Sequence, residues 1–140
     1  MIVVDTNVLL SALVSSKGYS FRLLEKMLND KIDYLMSLKL LSEYREVLFR
    51  HENMKKIPLS LGEIESVLAL IVQNAEYQEV YYRWRPNLSD EDDNFILELA
   101  IAGHADSIIT FNKKDFLMAE LKFDFTLLTP REFLKKGVRL

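Results

Sequence analysis

A three-layer α/β/α fold around a mainly parallel sheet is the architecture this sequence predicts. Short apolar runs alternate with longer segments of helical periodicity, and that alternation builds parallel sheets covered by helices on both faces. No internal repeat or linker-like stretch interrupts it, and 140 residues suit one domain, so residues 1–140 are read as a single unit. Hydrophobic residues at 49% and charged residues at 28% are enough for an ordinary core and surface.

The elements follow in order. Ile2–Val4 reads as a first strand that ends at Asp5, and Asn7–Ser15 as a helix closed by the Lys17-Gly18 turn. Ser20 is expected to cap a second helix that turns Leu23, Leu24, Met27 and Leu28 inward. Ile32–Met36 is a second strand candidate, and Ser37 opens a helix with the apolar stripe Leu40, Leu41, Tyr44, Val47 and Leu48. Ser60 and Glu63 have the spacing of a capping box, ahead of Ile64, Val67, Leu68 and Ile71. Glu79–Tyr82 is expected to be a strand. Ser89–Gly103 reads as a strongly apolar helix with an acidic start. Ser107–Thr110 and Phe125–Leu128 complete the strands, and Thr129-Pro130-Arg131-Glu132 caps a final helix.

Composition excludes several classes of function. The chain has no cysteine, so disulfides, thiolate catalysis and zinc–thiolate sites are ruled out, and a reducing cytoplasm is the expected setting. No apolar run approaches the roughly 20 residues that span a bilayer, and Met1–Asp5 lacks the basic start of a signal peptide. The net charge of −3 gives no overall attraction to nucleic acid. Charge is nevertheless segregated. Acids thicken at Asp90, Glu91, Asp92 and Asp93, while basic residues gather at Arg45–Lys56, at Arg83 and Arg85, and from Lys135 to Arg139. An acidic centre between basic flanks suits an enzyme that binds metal and grips phosphates.

Sites in open parallel sheets form beyond the carboxyl ends of the strands, which directs attention to Asp5 and to the residues past Thr110. Asp5 reads equally as a helix cap or as a functional carboxylate. The phosphatase Asp-x-Asp pattern is absent, because Asn7 stands in its second place. Glu43 lies about 40° from Val47 around its helix, at the edge of the apolar stripe, whereas Glu46 falls nearer solvent. Asp92 and Asp93 flank the inward line of Ile96, Leu99, Ala100 and Gly103, with Glu91 and Glu98 directed elsewhere. Their bland reading is complementation of the helix dipole. Asn112 and Asp115 fall in the loop after Thr110, where turn chemistry explains either of them alone. Taken together, oxygen donors from distant segments are what Mg²⁺ or Mn²⁺ requires to activate water and neutralise charge at a phosphoryl group.

These residues resemble the PIN-domain nucleases, in particular the VapC-like toxin components of toxin–antitoxin pairs. Val3-Val4-Asp5-Thr6-Asn7-Val8-Leu9 looks like the opening motif, and Ser37 to Glu43 followed by Val47-Leu48 is similar to the Glu-bearing second helix. Asp90 to Ala100 followed by Ala105-Asp106 resembles the third motif, and Ile108 to Phe116 the fourth. Leu127 to Leu134 looks like the closing strand and helix of one subgroup. The resemblance implies a metal-dependent ribonuclease with catalytic ligands at Asp5, Glu43 and Asp93, with Asp92 as the alternative to Asp93. It also implies Mg²⁺ or Mn²⁺ as cofactor, supporting roles for Thr6, Asn7, Ser37 and Asp115, an antitoxin partner, and homodimerisation. One departure stands out. The fourth motif usually carries an acid two residues past Thr110, and here Asn112 takes that place as a metal ligand; its amide can bind magnesium directly or through water but contributes no charge.

Two other readings compete with an RNA endonuclease. Asn112 motivates a catalytically impaired PIN domain that binds RNA or protein, and the capping roles of the acids motivate a purely structural α/β domain. Tyr81-Tyr82-Arg83-Trp84-Arg85 has a composition suited to stacking on unpaired bases of single-stranded RNA, though a sheet edge or subunit contact is the favoured reading. His51 and His104 have no ligand spacing and are read as incidental.

Overall fold

A computed structural model describes residues 1–80 and 94–137. Strand β1 (Ile2–Val4) leads into α1 (Thr6–Val14) and α2 (Tyr19–Leu28), followed by β2 (Leu35–Met36) and α3 (Leu38–Leu48). A short α4 (His51–Met54), α5 (Leu61–Asn74) and β3 (Glu76–Tyr77) come next. Beyond residue 93 the order is α6 (Asn94–Ala102), β4 (Ser107–Ile109), a 3-10 turn over Lys113–Phe116, α7 (Leu117–Lys122), β5 (Thr126–Leu128) and α8 (Pro130–Gly137).

Among the described residues all the strand pairs are parallel. β4 lies between β1 and β5, with Val3 opposite Ile108 and Ile108 opposite Leu127. β2 pairs with β3, and a parallel bridge from Ile2 to Tyr34 joins the two groups. The strand order is therefore 3-2-1-4-5. Successive connections depart from β1 toward one edge and from β4 toward the other, so the crevice between these two strands is the topological switch point. Helices lie on both faces of the sheet, with α6 against β1 and β2, and α7 and α8 against β5. This is the three-layer α/β/α arrangement expected from the alternation of elements.

Local sequence explains most element ends. Ser37 caps α3 by accepting from the Leu40 amide, and Ser60 with Glu63 forms the reciprocal capping box of α5. A second such box, Thr129 with Glu132, starts α8. Helix α2 departs from expectation. It begins at Tyr19 behind an extended Gly18, and Ser20 is buried inside the first turn rather than acting as a cap.

The third strand also departs from expectation. It is Glu76–Tyr77 rather than Glu79–Tyr82, of which Glu79 and Val80 lie past the strand and Tyr81 and Tyr82 lie outside the described residues. The strand is short, polar and exposed at the sheet edge. It is defined by backbone bonds from Glu76 N to Tyr34 O (2.9 Å) and Gln78 N to Met36 O (2.8 Å), which leave no apolar alternation for a sequence to display.

Helix α6 is buried nearly all round. Ile96, Leu97 and Leu99 are fully enclosed, and Glu98, expected to point away from the core, is buried as well. Its end is a Schellman turn in which Ala105 N reaches Ala100 O at 2.8 Å, and His104 supplies the left-handed residue with φ 54°. Gly103 sits one residue earlier and serves close approach. A Cβ there would lie 2.5 Å from Leu35 Cδ1.

Candidate functional site

The switch-point crevice opens into a cleft of about 310 Å³ lined by Asp5, Thr6, Asn7, Leu10, Glu43, Val47, Arg50, Glu52, Asn53, Phe95 and Asn112. It therefore gathers residues from all four segments with motif-like spacing, the third represented by Phe95 at the start of α6. Asp92 and Asp93 lie outside the described residues; in sequence they stand immediately before Asn94, the first residue of α6.

Asp5 follows the last residue of β1. It is both a helix cap and a cleft carboxylate. Oδ1 accepts the Thr6 amide at 2.8 Å, and Oδ2 accepts the Thr110 hydroxyl at 2.7 Å. Its backbone amide continues the ladder onto Ile109 O at 2.9 Å. Thr110 is fully buried, and its oxygen also accepts the Asn112 amide at 2.9 Å. A single hydroxyl thus aligns the first and fourth motif segments. Burial raises the pKa of Asp5 above its ordinary value. The hydrogen bonds from Thr110 and then Thr6 oppose that shift, and the nearby charge of Asp115 adds to it.

Helix α3 delivers Glu43 to the same cleft. The Leu40, Tyr44 and Leu48 face is buried, Glu43 is half-buried at the edge of that face, and Glu46 is exposed. Tyr44 fixes the helix against β1 by donating its hydroxyl to the Val4 carbonyl, one residue before Asp5. Burial, together with the charge of Asp5, pushes the Tyr44 phenol well above its usual range, so it stays a neutral donor.

Not every expected residue reaches the cleft. Ser37 is buried as the cap of α3, and Asp115 sits in the 3-10 turn, acting on Asp5 through charge rather than by lining the cavity. Among the described residues no group of three His, Cys, Asp or Glu is close enough to hold a metal ion. The cleft donors are nonetheless oxygen-rich. They comprise the Asp5, Glu43 and Glu52 carboxylates and the Asn7, Asn53 and Asn112 amides, with no thiolate or imidazole among them. Thr6 Oγ1 and Asn7 Oδ1 are also buried without a hydrogen-bond partner among the described residues. Hard oxygen donors and orphaned acceptors of this kind fit Mg²⁺ or Mn²⁺.

Residues that the sequence did not single out include Thr110, Arg50, Asn53 and Phe95. A threonine ending a β-strand beyond two isoleucines is the one signal that pointed toward Thr110. Arg50 belongs to the basic cluster from Arg45 to Lys56 and Phe95 to the third motif segment, but neither was singled out within it, and nothing in the local sequence marks Asn53.

A family model for the PIN domain, a domain generally found in nucleases that use divalent metal ions, matches residues 1–114. No curated protein matches the chain. The matched span contains β1 through β4, Asp5, Glu43, Thr110 and Asn112, while β5, α8 and Asp115 lie beyond it. The chain belongs to the PIN-domain family.

Proposed function

We propose that this chain is a divalent-metal-dependent endoribonuclease, the toxin component of a toxin–antitoxin pair. The observation that carries the reading is the convergence of Asp5, Glu43 and Asn112 on one cleft at the β1/β4 switch point. Asp5 and Glu43 would hold the ion, together with Asp93 or Asp92 from the segment preceding α6. A bound Mg²⁺ or Mn²⁺ supplies charge neutralisation at the phosphoryl group and acidifies an attacking water.

The protein's own groups set the geometry. Thr110 and the Thr6 amide occupy one lone pair on each Asp5 oxygen, so the remaining lone pairs are directed rather than rotating. The Tyr44–Val4 bond keeps α3, and hence Glu43, in register with the end of β1. Asn7 offers an amide oxygen at the cleft wall.

Cleavage of single-stranded RNA with added Mg²⁺ or Mn²⁺ tests the reading. Wild-type protein is expected to cut, and Asp5→Asn to lose at least about 100-fold of the rate, as when a direct stabiliser of transition-state charge is removed. Equal residual cutting by both proteins would overturn it. The toxin assignment rests on the family resemblance, and cytoplasmic action and homodimerisation come with it. It predicts growth arrest on expression, relieved by Asp5→Asn or by a cognate antitoxin protein.

Asn112 favours a second reading, an impaired nuclease that binds RNA or protein, because a neutral amide lines the cleft where family members carry an acid. That reading expects Asn112→Asp to create or strengthen metal-dependent cutting. An unchanged inactive protein would count against it.

A further inference from the structure

An acid-lined cleft repels a polyanion, so a substrate strand needs a cation near the same opening. The basic residues between Arg45 and Lys56 are not equivalent in this respect. Arg45 is committed to α5, with Nη1 and Nη2 on the two Glu65 oxygens at 2.7 and 3.0 Å, and its guanidinium lies over the Phe49 ring. Arg50 differs, because it lines the cleft itself. Its side chain reaches Glu46 Oε1 by one contact at 3.2 Å, with exposures of 47% and 63%. A solvated pair one helical turn apart is weak and readily exchanged.

The backbone beneath Arg50 is firmly held. Its carbonyl accepts from Asn53 N at 3.0 Å and Met54 N at 2.9 Å, and buried Asn53 anchors its own amide to Val47 O at 2.7 Å. A mobile guanidinium on a fixed base is suited to closing on an incoming oxyanion. A second observation points the same way. Thr6, 7% exposed, lines this cleft with a hydroxyl that has no partner among the described residues.

We propose that Arg50 grips a phosphate of the substrate strand flanking the bond to be cut, exchanging its contact with Glu46 for bidentate bonds to the phosphodiester. Arg50 lies two residues past the end of α3, where its extended backbone (φ −63°, ψ 136°) caps α4, and it shares the cleft lining with Glu43, so the contact assigned to it is with a phosphate beside the one the acids would engage. Glu46 then acts as a placeholder that keeps the guanidinium at the cleft rim. This inference rests on the nuclease reading of the cleft, and its test is arranged so that the two can fail separately.

Binding of a fluorescein-labelled single-stranded RNA is followed by anisotropy in EDTA, where no cutting occurs, across a range of salt concentrations. Arg50→Gln is expected to weaken binding about 10-fold and to reduce the slope of log affinity against log salt by about 0.7, the value for one phosphate contact on a single strand. Arg50→Lys should keep the slope and lose part of the affinity. Glu46→Gln, which releases the guanidinium, should tighten binding about two-fold. An unchanged salt slope in Arg50→Gln, or no binding by the wild-type protein, overturns the proposal. Binding with these slopes by a protein that never cuts RNA with Mg²⁺ or Mn²⁺ would leave it standing and sink the nuclease reading instead.

Discussion

The Thr110 hydroxyl donates to Asp5 Oδ2 at 2.7 Å across the boundary between β1 and β4, joining residues 105 positions apart in the chain. Because the same oxygen accepts the Asn112 amide, the orientation of the first cleft carboxylate and the path of the loop after β4 depend on one side chain. Thr110→Val is nearly isosteric and removes only the hydroxyl. It should cost about 1–3 kcal/mol of stability, because a buried carboxylate oxygen loses its partner. It should also lower metal-dependent cutting about 10–100-fold, the usual effect of removing a group that orients a ligand. Thr110→Ser should retain most of both. Denaturant unfolding and RNA cleavage check the pair, and a Val variant indistinguishable from Ser would remove the orienting role.

The burial of Asp5 has a consequence for pH. Its folded pKa lies above the ordinary 3.8, so between the two values the folded protein binds more protons than the unfolded chain. Stability contributed by this group is therefore complete below pH 3.8 and falls as pH rises through the folded value. Above that value the buried charge remains a standing cost. Without metal, Asp5→Asn should melt higher than wild type at neutral pH, and the gap should close on acidification. Melting curves in EDTA across pH decide it; a gap that widened toward acid would contradict this account.

Gly103 is required by contact rather than by backbone conformation. A Cβ there meets Leu35 Cδ1 at 2.5 Å and Cδ2 at 2.9 Å, and Leu35 is only 2% exposed. Gly103→Ala should destabilise by about 1–3 kcal/mol through overpacking. The penalty should shrink in a Leu35→Ala background, so a double-mutant cycle that came out additive would place the strain elsewhere.

His104 adopts φ 54° at the exposed end of α6, where glycine has no steric penalty. His104→Gly should raise stability by about 0.5–1 kcal/mol, read as a higher denaturant midpoint with an unchanged slope. A lower midpoint would mean that the imidazole makes a contact worth more than the relieved strain.

Sequence patterns were most informative where one helix face decides burial. The Leu40, Tyr44 and Leu48 stripe located Glu43 at its edge, because an amphipathic helix must orient its acids relative to its apolar side. The two capping boxes were equally plain, since their bonds close within four residues. Failures arose where the deciding contact is distant. Strand β3 exists because Leu35 and Met36 present backbone groups to Glu76 and Tyr77, and Glu98 is buried because α6 has neighbours on nearly every side. No periodicity records either fact.

By itself, the sequence determined the alternation of strands and helices, the cap chemistry, the absence of thiol chemistry, and the identity of the acids that ride at strand and helix ends. These are local properties, set by side-chain spacing and backbone bonding within a few residues. Only the tertiary structure decided which of those side chains share a cleft, that Thr110 holds Asp5, that Tyr44 ties α3 to β1, and that Arg50 rather than Arg45 faces the acids. Those relationships arise from strand order and helix docking, where groups dozens of residues apart meet because burial of apolar surface packs the layers on which they stand.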